Sequence, residues 1–188
     1  GLAENARIII AADGGCLHCL EHRIKPDYIV GDLDSSTPDP EIDFPETKII
    51  HLLEQETTDL EKALNLAMTL KPSKIILTAT SGRRIDHAVA NLLTFLRYSE
   101  QVKLEIRDND GVLRILPPGQ HILSLPPGSL ISCFSLQPVR DLTLSGFRYP
   151  LTGRSYSPTF SGISNVTLEA EARISFSEGR LFLYTLLC

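Results

Sequence analysis

The sequence contains no tryptophan and only one methionine. No apolar run reaches the ~18–20 residues of a membrane span, and no signal peptide stands at the start. No run of lysine and arginine suggests a nucleic-acid footprint, and the net charge of −5 argues against one. Neither a Walker A sequence nor Gly-x-Gly-x-x-Gly occurs, and no Cys/His or Ser/His setting suggests nucleophilic catalysis. Cysteine is sparse: Cys16, Cys19, Cys133 and Cys188. Cys16-Leu17-His18-Cys19 has metal-like spacing, but no second pair completes a zinc site. Three apart on one helical face, these two thiols suit a core, and reduced thiols point to the cytoplasm. What remains is an ordinary globular composition. The 188 residues, 43% hydrophobic and 22% charged, suit one large domain or two small ones.

Ala6–Ala12 reads as a buried strand that delivers Asp13 to its end, and Gly14-Gly15 then permits a tight turn. A short helix over residues 16–23 follows. Tyr28–Val30 is a strand ending in Gly31-Asp32-Leu33-Asp34-Ser35, and Thr37–Pro45, with Pro38, Pro40 and Pro45, is a loop. Lys48–Leu53 is a further strand. Thr58-Asp59-Leu60-Glu61 fits a capping box, with Leu60, Ala63, Leu64, Ala67 and Met68 as one apolar stripe and Pro72 as the stop. Lys74–Ala79 is a strand leading into a helix with Asp86 as N-cap and a stripe of Ile85, Ala88, Val89, Leu92 and Leu96. Val102–Ile106 alternates as a strand does. The repeated strand, loop and helix predict a mostly parallel, Rossmann-like α/β sheet, whose ligands bind beyond the C-terminal strand ends.

After Asp108-Asn109-Asp110-Gly111 the pattern changes to short β runs broken by Pro117-Pro118-Gly119, Pro126-Pro127-Gly128 and Pro138. Val166 to Phe176 alternates over its whole length, and Ser177-Glu178-Gly179 turns it into Arg180–Leu187, which predicts an antiparallel hairpin with one wet face. The expectation is therefore an α/β domain over residues 1–109 and an all-β sandwich over 110–188.

Asp13, Asp32, Asp34, Asp59 and Asp86 all fall just after predicted strands or at helix starts. Alternate residues of an extended chain point the same way, so Asp32 and Asp34 project together. Two carboxylates about 4 Å apart repel by roughly 4 kcal/mol at an effective dielectric of ~20, a cost that a bound cation removes. Oxygen-rich, thiol-free clusters select Mg²⁺ or Mn²⁺, and Mg²⁺ is held by one or two carboxylates plus substrate phosphates. Gly14, Gly15, Arg83, Arg84 and two helix N-termini offer donors for those phosphates. These residues point to Mg²⁺-dependent phosphoryl or nucleotidyl transfer.

Ala12-Asp13-Gly14-Gly15, Gly31-Asp32-Leu33-Asp34-Ser35, Thr58-Asp59-Leu60-Glu61-Lys62-Ala63 and Gly82-Arg83-Arg84-Ile85-Asp86-His87, in this order, resemble thiamine pyrophosphokinases. Ser145-Gly146-Phe147-Arg148-Tyr149-Pro150-Leu151 and Gly162-Ile163-Ser164-Asn165 are similar to that family's later segments. The resemblance implies transfer of the pyrophosphoryl group of ATP to the hydroxyl of thiamine, giving thiamine diphosphate and AMP. It implies a homodimer with thiamine between the α/β domain of one subunit and the β domain of the other. Asp13, Asp32, Asp34 and Asp59 would hold Mg²⁺, with Asp32, Asp34, Asp59 and Asp86 as catalytic residues and Asp59 or Asp32 taking the hydroxyl proton. Gly14, Gly15, Gln55, Thr58, Lys62 and Arg84 would meet ATP or its phosphates; Ser164, Asn165 and Tyr149 would meet thiamine. The family usually carries a strand and a Gly-rich turn upstream of Ala-Asp-Gly-Gly. With no Trp, an aromatic contact to thiamine falls to Tyr or Phe. Two alternatives are a phosphohydrolase with Asp32 as nucleophile, and a non-catalytic nucleotide- or thiamine-binding module.

Overall fold

A computed structural model describes residues 1–36, 39–81 and 84–187. Thr37 and Pro38 of the expected loop, Gly82 and Arg83 of the arginine segment, and Cys188 lie outside the described residues. After a 3-10 turn, Ala3–Asn5, the elements are β1 (Ile10–Ala12), α1 (Gly15–Glu21), β2 (Tyr28–Gly31), α2 (Pro40–Asp43), β3 (Lys48–His51), α3 (Asp59–Thr69), β4 (Ile75–Leu77), α4 (Ile85–Tyr98) and β5 (Leu104–Arg107). Eight strands follow: β6 (Gly111–Leu116), β7 (Gly119–Ser124), β8 (Leu130–Ser135), β9 (Val139–Ser145), β10 (Leu151–Tyr156), β11 (Phe160–Val166), β12 (Glu171–Phe176) and β13 (Leu181–Leu186). The fold is sheet-rich and divides into two units, Gly1–Ile75 with Ala79–Tyr98, and Ile76–Thr78 with Ser99–Cys188.

In the first unit, β1, β2 and β3 form a parallel sheet in that order, with Ala12 beside Val30 and Val30 beside Ile50. Helix α3 lies against β1 and β2, and α1 against β1. Ala11, Cys16, Cys19, Ile29 and Phe44 share one core, so the two thiols of α1 pack inward as their spacing implies. The capping box of α3 is present: the Glu61 N–H donates to Thr58 Oγ1 at 3.3 Å, and the Thr58 N–H to Glu61 Oε2 at 2.9 Å.

Several sequence expectations are corrected. The parallel sheet contains three strands; β4 and β5 instead complete a six-stranded sheet in the order β11-β8-β13-β6-β5-β4. A short apolar strand does not encode which sheet it joins. Part of the expected loop is the single-turn helix α2, nucleated by Asp39, whose carboxylate accepts from the Ile42 N–H, and by Pro40 at its start. Asp86 is a first-turn residue of α4, not its cap. The buried face of α4 is Thr94, Phe95 and Tyr98, whereas Ile85 and Val89 of the expected stripe are exposed.

In the second unit, the other sheet has the order β10-β9-β12-β7. Ile131, Cys133, Phe160, Leu181 and Leu183 of the six-stranded sheet share a core with Val139, Leu142, Leu144, Ala172, Ile174 and Phe176 of the four-stranded one. The expected hairpin is absent: β12 pairs with β7 and β9, while β13 pairs with β6 and β8. The Ser177–Gly179 turn therefore passes between sheets. Gly179 has φ +99°, and a Cβ there would lie 2.3 Å from the Pro138 carbonyl oxygen, which only glycine allows. The alternating run from Val166 to Phe176 is likewise two strands. It breaks at Thr167, whose buried hydroxyl donates to Pro126 O at 2.8 Å and accepts the Ser129 N–H at 3.0 Å. A strand that switches sheets keeps its period of two, so alternation alone cannot reveal the crossing.

Candidate active site

The adjacent ends of β1 and β2 bring the first carboxylates together. The Asp13 N–H continues the ladder by donating to Val30 O at 2.8 Å, and Asp13 turns the chain with φ +38°. It lies beside Gly31, where a Cβ would come within 2.7 Å of Asp13 Cβ. Glycine at 31 is thus what lets the Asp13 side chain sit over the strand end. Leu33, at φ +66°, bends the next segment, and the Asp34 N–H donates to Asp32 Oδ1 at 3.3 Å. As a result, one carboxylate oxygen from each of Asp13, Asp32 and Asp34 lies within 4.8 Å of the others.

The three carboxylates are not equivalent. Asp13 is 3% exposed, and its Oδ1 has no hydrogen-bond partner among the described residues. Burial raises its pKa, the charge of Asp59 adds to this, and Asp34 and Asp32 add less; the Gly14 N–H works in the opposite direction. Asp32 is held below the usual carboxylate range, first by the Gln55 amide, which donates to Oδ2 at 2.8 Å, then by the Asp34 N–H, with Lys62 assisting. Asp34 Oδ1 accepts the Ser35 hydroxyl at 2.9 Å. His51, at the end of β3, donates its Nε2–H to the Asp32 carbonyl at 2.8 Å and so fixes that backbone.

The first turn of α3 supplies the next charges. Asp59 is its first residue, and Lys62 Nζ lies 3.3 Å from Asp59 Oδ1. Lys62 is only 4% exposed, so its ammonium is an internal counter-ion for the carboxylates around it. Thr58 uses its hydroxyl within the capping box. Gly14 caps α1 beside the Ser35 carbonyl, 3.3 Å from where a Cβ would stand, while Gly15 has open space around it. Arg84 and Asp86 form a two-bond pair on the surface, Nε to Oδ1 at 3.1 Å and Nη2 to Oδ2 at 2.5 Å. The Arg84 guanidinium lowers the Asp86 pKa to about 2. The structure thus groups Asp13, Asp32 and Asp34, sets Asp59 close enough to act on Asp13, and leaves Asp86 outside the trio.

Sequence reasoning missed Glu54 and His51. The Glu54 carboxylate accepts the Glu56 N–H at 2.9 Å, the Thr57 N–H at 3.0 Å and the Thr57 hydroxyl, which shapes the loop carrying Gln55. The Glu-x-x-Thr spacing is its only sequence trace. In the second unit, Ser164 sits at φ +58° on the irregular part of β11, and its N–H donates to Ser132 Oγ at 3.0 Å. Asn165 is 5% exposed and bonded to the backbone of Tyr149, itself 62% exposed.

Comparison with known proteins sorts these two groups into two recognised modules. Residues 1–106 match the thiamin pyrophosphokinase catalytic domain, and residues 120–181 match the thiamin pyrophosphokinase vitamin B1 binding domain. The chain belongs to the thiamin pyrophosphokinase family. Thiamine pyrophosphokinase from Bacillus subtilis is 25% identical, over 97% of this chain and 89% of its own length. Thiamine pyrophosphokinase 1 from Arabidopsis thaliana is 28% identical, over 98% and 79%. Among solved structures, a thiamin pyrophosphokinase family protein from Enterococcus faecalis superposes with a TM-score of 0.87 at 27% identity, covering 99% of this chain and 91% of that one. The acidic trio lies in the catalytic match, and Tyr149, Ser164 and Asn165 lie in the vitamin B1 match.

Proposed function

We propose that this enzyme transfers the pyrophosphoryl group of ATP to the hydroxyl of thiamine and releases AMP. One observation carries the reading. Asp13 Oδ1 is buried and without a hydrogen-bond partner among the described residues, and it belongs to a trio of carboxylates at adjacent parallel strand ends, inside the catalytic-domain match. An all-oxygen donor set of this kind fits Mg²⁺, held by Asp13, Asp32 and Asp34 with Asp59 beside them. Held there, Mg²⁺ would supply neutralisation of phosphate charge and alignment of the transferring group.

The chain's own side chains do the rest. Gln55 and the Asp34 N–H keep Asp32 ionised, and Lys62 holds Asp59 and offsets the local negative charge. Gly14 and Gly15 leave the backbone accessible to phosphate oxygens, Arg84 and Asp86 act at the transferring end, and Asp32 or Asp59 accepts the thiamine proton. Because the transition state of phosphoryl-type transfer is loose, positioning and charge neutralisation supply most of the acceleration. We read residues 1–109 as the Rossmann-like α/β catalytic domain, whose β4 and β5 extend the six-stranded sheet of the second unit, and residues 110–188 as the β-sandwich that takes thiamine, with Ser164, Asn165 and Tyr149 at its site. Family resemblance supports a cytoplasmic homodimer with shared sites. Neither the phosphohydrolase nor the binding-module alternative is favoured by the comparisons.

The test is incubation with ATP, Mg²⁺ and thiamine. AMP and thiamine diphosphate should form together, and no AMP should form without thiamine. Phosphate release that ignores thiamine would overturn the assignment in favour of a hydrolase; binding without turnover would reduce it to a module.

A further inference from the structure

Asn165 is the residue whose surroundings depart most from the role its sequence context suggests. Its Oδ1 accepts the Tyr149 N–H at 3.0 Å and the Val166 N–H at 2.9 Å, and its Nδ2 donates to the Tyr149 carbonyl at 2.9 Å. One amide orientation satisfies all three contacts, and it leaves one N–H of the amide. At 5% exposure, Asn165 is buried.

The backbone explains why an amide is needed here. The segment after β9 pairs with the end of β11: the Arg148 N–H donates to Val166 O at 2.8 Å, the Leu168 N–H to Gly146 O at 2.8 Å, and Phe147 bridges Thr167. Pro150 has no N–H and cannot extend such a ladder. Asn165 supplies a donor and an acceptor, as a peptide group would, and takes up both backbone groups of Tyr149. The Tyr149 main chain is thereby fixed in a residue that is 62% exposed.

We infer that Asn165 is a positioning residue, which shapes the thiamine site by clamping the Tyr149 backbone and so fixing where the Tyr149 ring is presented, instead of touching thiamine itself. The inference rests on the reading that this unit takes thiamine. Ser164, beside it, has no hydroxyl partner among the described residues, while its N–H is tied to Ser132.

The absence of tryptophan provides the test. The Tyr149→Trp variant carries a single indole, whose fluorescence anisotropy reports ring mobility and whose quenching reports thiamine. Adding Asn165→Ala should lower the anisotropy and raise the KM for thiamine about tenfold, the effect of losing about 1.4 kcal/mol of binding. The KM for ATP should stay unchanged. Asn165→Asp keeps the acceptor for the Tyr149 N–H but sets a carboxylate against the Tyr149 carbonyl; it should move both readouts the same way, and it serves if the alanine variant folds poorly. Unchanged anisotropy with a raised KM for thiamine would overturn the clamp and make Asn165 a direct ligand. Lowered anisotropy with an unchanged KM for thiamine would instead overturn the placement of thiamine beside Tyr149.

Discussion

Asp13 sits in a conflict that a cation resolves. It is buried beside Gly31, its Oδ1 has no partner among the described residues, and its neighbours Asp59, Asp34 and Asp32 are also acidic. Burial and these charges raise its pKa, so its ionised form destabilises the fold. The stability it contributes is fully present below its ordinary value of 3.8 and is lost as pH rises through the raised folded-state value. At neutral pH and without metal, Asp13→Asn should therefore raise Tm, by about 2–4 °C for each kcal/mol gained in a chain of this size. Near pH 3 the gain should vanish, because aspartate is then protonated in both states. Added Mg²⁺ should raise the Tm of the unsubstituted protein and not that of the variant. A variant equally stabilised by Mg²⁺ would remove Asp13 from the metal site. Asp34 makes a separate prediction. Asp34→Asn should cut turnover by about 10²–10³-fold, while Tm stays level or rises, because a like charge is removed from the trio. Full activity would sink the metal role of Asp34.

At the scale of the element, helix α3 carries the site through its first turn. Thr58 and Glu61 exchange hydrogen bonds across that turn, which sets the directions of Asp59 and Lys62. Thr58→Ala should cost about 1 kcal/mol, seen as a lower denaturant midpoint at unchanged slope, and Thr58→Ser should restore it. If Thr58 acts only as a cap, the KM for ATP should track this loss; a KM that rises with stability intact would make its hydroxyl a ligand. This helix was legible because its signals are local: a capping box, an apolar stripe and a nearby proline. The trio was legible in part: Asp32 and Asp34 do converge, but through a turn at Leu33 (φ +66°) and not through the extended alternation expected of them. The partnership of Asp13 with Gly31 was not, because it depends on β1 lying beside β2. The same limit explains β4 and β5, whose sheet is chosen by tertiary pairing, and the run from Val166 to Phe176. There, a period of two survives a change of sheet, and only the buried hydroxyl of Thr167 marks the crossing. Asn165 shows the limit at one side chain. Its place beside Ser164 reads as a ligand pair, whereas its three bonds form only when residues 146–149 lie along the end of β11.

At the scale of the whole molecule, the proposed site residues fall in two units: the carboxylates in one, Ser164, Asn165 and Tyr149 in the other. The shared-site homodimer proposed above makes a quantitative demand on that division. Asp34→Asn damages the catalytic unit and Asn165→Ala the thiamine unit, so a mixed dimer of the two contains one site with both defects and one with neither. Co-expressed with different tags and purified as the mixed species, it should recover about half the kcat/KM for thiamine of the unsubstituted dimer, one intact site of two. If each site lay within a single chain, both sites would carry a defect. The mixed dimer would then retain about one twentieth, half of the tenfold-weakened Asn165→Ala activity. These outcomes differ about tenfold, well beyond assay error, and the parental homodimers measured alongside fix both limits. Recovery near half would establish that each site draws on two chains; recovery near one twentieth would confine it to one. Failure to isolate any mixed dimer would sink the dimer itself.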